Sequence, residues 1–89
     1  MIDTNYAIME IVVSPGSLGL KFMYHPGVAP VISEMHCDSP FKNLMGVGAQ
    51  LVEVNGSPVY STKDIAMCRK TSESDVLSFI APLDCFRWV

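Results

Sequence analysis

The chain has 89 residues, 49% of them hydrophobic and 17% charged, and a net charge of -3. That length holds one compact domain rather than two, and so apolar a composition excludes a disordered segment. Six Lys and Arg residues against nine Asp and Glu are too few to track a phosphate backbone, so no nucleic acid is expected as a partner.

Residues 1–82 read as a single domain and 83–89 as an apolar C-terminal tail. Tyr6 to Val13 (YAIMEIVV) is rich in β-branched and aromatic residues, which predicts a strand, and Ser14-Pro15-Gly16-Ser17 breaks it. Leu20 to Tyr24 is a second short strand with Leu20, Phe22 and Tyr24 on one face. His25-Pro26-Gly27 signals a turn, and Val28 to Met35 a third strand with Pro30 near its start. Asp38 or Ser39 can cap and Pro40 suits a first helical position, so Phe41 to Met45 is expected to form one or two helical turns ended by Gly46.

Gln50 to Val54 is a fourth strand closed by an Asn55-Gly56 turn, and Ser57 to Tyr60 a short fifth. Ser61-Thr62-Lys63-Asp64 has a hydroxyl followed three residues later by a carboxylate, a capping box that opens a helix over about Thr62 to Lys70. Ile65, Cys68 and Arg69 fall on one of its faces by the three-and-four rule. Thr71 to Asp75 is a polar loop, Val76 to Ile80 the last strand, and Pro82 stops it. The expected fold class is mainly β with two helices (α+β). It is a small, partly open antiparallel β-barrel or sandwich of five to six strands, capped by two helices.

No run approaches the roughly 18 apolar residues of a membrane span. Met1 to Asn5 lacks the basic cluster and apolar core of a secretory signal. Cys37, Cys68 and Cys85 are odd in number and widely spaced, which argues for reduced thiols and a cytoplasmic setting. His36-Cys37-Asp38 cluster in sequence, but structural zinc needs paired ligands at short spacing twice over, so these are read as polar loop residues and no metal is expected. No cofactor is implied. His25 and His36 lie in loops with no motif around them, so the chain is not expected to be an enzyme.

Two stretches carry a family resemblance. Ser17-Leu18-Gly19-Leu20, after one strand and opening the next, resembles the Gly-Leu-Gly-Phe carboxylate-binding loop of PDZ domains. Gly46-Val47-Gly48-Ala49-Gln50-Leu51-Val52-Glu53-Val54-Asn55-Gly56 resembles the family's Gly-x-x-Val-Gly-Asp-x-Ile-Leu-x-Val-Asn-Gly signature. Asp38-Ser39-Pro40 is similar to the Gly-Ser-Pro that starts the family's short helix, and Pro58 to Ile65 to the entry of its second helix. The likeness runs from about Tyr6 to Ile80. It departs from the pattern at Ala49, where the family has Asp, and at the bulky Phe41. No basic residue precedes the loop, and no histidine opens the helix. The Ser57 to Ser61 stretch with Asp64-Ile65 is closer to the bacterial members appended to proteases.

The loop itself can be argued from its residues. A glycine allows positive φ and close approach, and successive amides in such a turn form an anion nest, here from Leu18, Gly19 and Leu20. A plain glycine turn between strands is the other reading. The resemblance implies that a partner's C-terminal peptide lies as an added strand between the second strand and second helix. Leu18, Leu20 and Phe22 would line the pocket for a hydrophobic last residue, and Lys21 and Met23 would flank the peptide. Phe22 reads equally as a core residue. Thr62 and Ala66 would face the groove, with Arg69 following; a shift of one residue would offer Ile65 and Cys68 instead.

The expected function is therefore an adaptor or scaffold module that reads C-terminal ends, with Ser17 to Leu20 holding the carboxylate. The alternative is a self-association domain whose groove is filled by its own or a neighbour's Asp84 to Val89 tail. In that tail Phe86 and Trp88 could equally pack on the domain or add a strand. Gly19→Asp is expected to abolish peptide binding and leave the fold largely intact.

Overall fold

The computed structural model describes residues 6–70 and 73–82. They form an open, six-stranded antiparallel sheet with a single short helix among the described residues. The strands are β1 (Tyr6–Val13), β2 (Leu20–His25), β3 (Val28–Met35), β4 (Gln50–Val54), β5 (Ser57–Pro58) and β6 (Asp75–Pro82); the helix α1 spans Thr62–Cys68. The spatial order is β1-β6-β4-β3-β2, with β5 paired to β4.

Position in the sheet explains each strand's burial. At one end, β1 turns Met9, Ile11 and Val13 onto the core and leaves Tyr6, Ile8, Glu10 and Val12 exposed, the period-two pattern of a half-covered strand. β6 lies between β1 and β4, and its Leu77, Phe79 and Ala81 are buried. At the other end, β2 pairs with β3 in register Leu20↔Met35 and Lys21↔Glu34, with irregularities after Lys21 and after Met23. The β4–β5 connection has Asn55 at φ 53° and Gly56 at φ 83°, the two positive values of a type I′ turn.

The core joins Ile32, Leu51, Val54, Val59, Leu77 and Phe79 to Phe41 and Met45 from the 36–49 connection and Ile65 from α1. Phe41 meets Phe79 edge-on at 5.3 Å between ring centroids, a geometry worth about 0.5–1.5 kcal/mol beyond area burial.

The first expected helix is not formed. Residues 40–44 are turns: Lys42 N–H bonds Ser39 O at 3.2 Å, Leu44 N–H bonds Phe41 O at 2.9 Å, and Met45 N–H bonds Phe41 O at 3.2 Å. Pro40 contributes no donor and Gly46 follows at once, so the segment is too short to repay helix nucleation. Its shape is set instead by sending Phe41 and Met45 into the core. The helix that does form ends at Cys68 rather than Lys70. Ser61 caps it, accepting from Asp64 N–H at 3.2 Å, and the Asp64 carboxylate accepts from Tyr60 N–H at 2.9 Å. Asp75, read from sequence as loop, opens β6 and is fully buried. No described helix is long and apolar enough to cross a membrane.

Candidate functional site

The Ser17–Leu20 loop leads directly into β2, the end strand of the sheet, which pairs with β3 alone among the described residues. Gly19 sits at φ 67°, a left-handed value that favours glycine. The loop is packed as tightly as it is turned: a Cβ added at Gly19 would lie 3.0 Å from Ser39 Cβ and 3.1 Å from Ser39 Cα.

Three loop carbonyls are held by donors. Ser39 Oγ donates to Leu18 O at 2.7 Å, His36 N–H to Gly19 O at 2.7 Å, and Arg69 Nη1 to Gly16 O at 2.8 Å. In a trans peptide each carbonyl points opposite to the N–H of the next residue. Fixing the oxygens of Gly16, Leu18 and Gly19 therefore turns the amides of Ser17, Gly19 and Leu20 the other way. The Gly19 amide meets Ser17 Oγ at 3.2 Å, a local contact that an anion could share or replace.

Leu18, Leu20 and Phe22 are partly buried and pack against the core, as does Cys68. The two readings of Phe22 thus meet at one position, on the rim of the core rather than inside it. Lys21 and Met23 point outward. Lys21 Nζ lies 3.5 Å from Glu34 Oε2 across the strand pair, an exposed contact worth little, and Met23 is 53% exposed.

On α1, Ile65 is buried and Cys68 is held against the core, so the face they share is taken. Thr62 and Ala66, one turn apart, stay exposed. Arg69 differs from expectation. Its side chain is not offered to a groove: Nε bonds Asp75 Oδ2 at 2.9 Å while Nη1 holds the Gly16 carbonyl. Burial works to raise the Asp75 carboxyl, but bonds from Lys70 N–H, the Asn55 amide and Arg69, with the guanidinium's charge, hold it below the ordinary carboxylate value.

Asn55 completes this network. Its Nδ2 donates to Cys68 O at 2.8 Å and to Asp75 Oδ1 at 2.9 Å, and its Oδ1 accepts from Val76 N–H at 2.9 Å. Sequence reasoning saw only a turn at Asn55 and missed Asp75 and the loop-holding role of Ser39. The available signal was an acidic residue directly before the apolar run of β6, where a solvated loop carboxylate is the commoner reading.

An open cavity of about 720 Å³ runs along Ser17, Gly19, Leu20 and Lys21 to His36 and Pro40. It shares the loop and the start of β2 with the expected groove but lies on their β3 side, away from Thr62 and Ala66. His36, Cys37 and Asp38 also border it, with Nδ1 4.0 Å from Sγ and 3.9 Å from Asp38 Oδ2. The Nδ1 lone pair already accepts the Asp38 N–H at 3.1 Å, and the ligand atoms of the three exposed side chains lie within 4.8 Å of one another. Val89 and the rest of the tail lie outside the described residues.

No protein-family model, no curated protein and no solved structure matches this chain.

Proposed function

We propose that the chain is a PDZ-like interaction module that binds the C-terminal end of a partner peptide by β-strand addition. The observation that carries this reading is the junction of the Ser17–Leu20 loop with an end strand. Loop amides are oriented by bonds to the preceding carbonyls, and the next residues present a strand edge. An extended peptide needs both: a strand edge for its backbone and convergent N–H groups for its carboxylate.

Leu18, Leu20 and Phe22 at the core margin suit an apolar last side chain. Thr62 and Ala66 supply the exposed face of α1, and Lys21 and Met23 flank the peptide. Thr62 is a weak hydrogen-bonding partner where the family commonly has histidine, so the last residue dominates selectivity over the third from last.

The test is fluorescence anisotropy with hexapeptides ending in Val, Leu, Ile or Phe, each as the free acid and as the C-terminal amide. Free acids bind, and amidation weakens binding by about tenfold or more, the scale of a lost charge-assisted hydrogen bond. Equal binding of the two forms refutes the carboxylate-loop reading. Absence of any binding refutes the module.

A further inference from the structure

The stretch Val13-Ser14-Pro15-Gly16 carries no cation, yet a guanidinium reaches the loop from a residue far along the chain. Arg69 stands just after α1, its side chain 19% exposed, and bridges two acceptors with a planar fork: Asp75 Oδ2 at 2.9 Å and Gly16 O at 2.8 Å. Asp75 is a fixed anchor for that bridge. It is fully buried, and its other oxygen takes Lys70 N–H at 2.8 Å and Asn55 Nδ2 at 2.9 Å. Asn55 in turn is bonded to the end of α1 and the start of β6. The loop's opposite side is tied by Ser39 and His36, so Arg69 is the tie on the α1 side.

Resting on the peptide-binding reading, we propose that Arg69 is a positioning residue for the carboxylate loop: by fixing the Gly16 carbonyl it aims the Ser17 N–H and adds that amide to the anion-binding set. Arg69 touches no ligand in this scheme. Its charge is balanced by Asp75, and its contribution is the direction of one peptide plane. Without the tie the Gly16–Ser17 peptide can rotate, and the amide points at the carboxylate only part of the time.

Arg69→Lys tests this. It keeps a cation beside Asp75 and removes the second arm of the fork. The backbone 15N order parameter is read at Ser17, Gly19 and Leu20, together with binding of hexapeptides ending in a free valine carboxylate and of their amides. The Ser17 value is expected to fall from about 0.85 to below about 0.6 while β6 and α1 stay rigid. Free-acid affinity should fall at least about fivefold and amide affinity should hold. Equal loss for both peptide forms, unchanged free-acid affinity, or an unchanged order parameter at Ser17 overturns the proposal.

If the Arg69→Lys chain does not fold, the wild-type protein decides. Its Arg69 Nε–H and Ser17 N–H resonances should both shift on saturation with the free-acid peptide and neither with the amide; two unmoved resonances refute the proposal. A wild-type chain that binds no free-acid peptide refutes the peptide-binding reading on its own, and the Ser17 order parameter in Arg69→Lys then still decides whether Arg69 holds the loop.

Discussion

Replacing Gly19 with alanine should destabilise the protein by two separable effects. Alanine at φ 67° occupies the left-handed region at a cost of about 1–2 kcal/mol. The new methyl would also lie 3.0 Å from Ser39 Cβ and 3.1 Å from Ser39 Cα. The second of these is backbone and cannot rotate away. Ser39 is itself buried, with Oγ donating to Leu18 O at 2.7 Å and accepting from Phe41 N–H at 3.2 Å, so a retreat would break bonds at the edge of the core. Forcing a methyl into such a site adds about 1–3 kcal/mol. The sum is about 2–5 kcal/mol, a large part of the roughly 5–15 kcal/mol that holds a domain together.

Gly27→Ala is the control. Its φ of 73° is nearly the same, but no atom lies within 4 Å of the added carbon, so only the conformational cost of about 1–2 kcal/mol applies. Urea unfolding followed by circular dichroism gives both values. If the two substitutions cost the same to within about 0.5 kcal/mol, the close approach of Ser39 to the loop is refuted. The comparison also revises a sequence-level expectation. Gly19→Asp carries the same Cβ, so it damages the fold as well as repelling a carboxylate, and lost binding in that variant would have two causes. Amidating the peptide changes the ligand alone, which makes it the cleaner probe.

Three further outcomes follow from the packing. Asn55→Ala should cost about 2–4 kcal/mol, since it takes one of the two bonds from Asp75 Oδ1 and removes the Asn55 partner of the Cys68 carbonyl and of Val76 N–H; Asn55→Gly, which accepts φ 53°, should recover only the conformational share, and urea midpoints of the two variants give the split. Phe41→Ala removes a fully buried ring set edge-on to Phe79 and should cost about 3–5 kcal/mol, read as a fall in thermal midpoint. Asp75 makes stability depend on pH with a definite sign. Its folded value lies below the ordinary 3.8, so its contribution is full above that value and is lost as pH falls through the lower, folded one. Urea midpoints taken from about pH 7 down to about pH 2.5 should fall at the acid end in the wild type, and Asp75→Asn should be weaker at neutral pH and flatter in acid.

How much of this was legible in the sequence depends on whether the deciding contact is local. The strands were, because their β-branched and aromatic runs end at Pro and Gly signals within a few residues. The helix from Thr62 was, because Ser61 and Asp64 cap it from three residues apart. The 40–44 turn was misread because its local signals, a cap followed by Pro, are those of a helix. What overrides them is the demand that Phe41 reach Phe79, a contact across the fold. The Arg69–Asp75–Asn55 network was invisible for the same reason. Its members are each ordinary in their own surroundings and acquire meaning only when α1, the β4–β5 turn and β6 meet. Ser39 likewise reads as a cap, and it does bond Phe41 N–H, but its tighter bond goes to Leu18, 21 residues away in sequence.

Of the large apolar side chains that stay exposed among the described residues, only Met23 belongs to the candidate site. Leu18, Leu20 and Phe22, the residues set aside for a ligand, are only partly exposed. On β1, Ile8 is 67% and Val12 68% exposed, with Tyr6 beside them on the same face. Tyr6 to Val13 is apolar on both faces except at Glu10, a pattern that ordinarily marks a strand covered on both sides. Among the described residues β1 is instead an end strand covered on one side. Periodicity reports which residues can be buried; the number of neighbouring elements decides which are. A chain of this size has one short described helix to lay against its sheet, so one apolar face of an end strand is left over. That face lies at the opposite end of the sheet from β2. The exposed apolar surface is therefore, for the most part, not the proposed peptide-binding surface, and substitutions at Ile8 or Val12 should leave peptide affinity unchanged, a result that separates the two apolar regions directly.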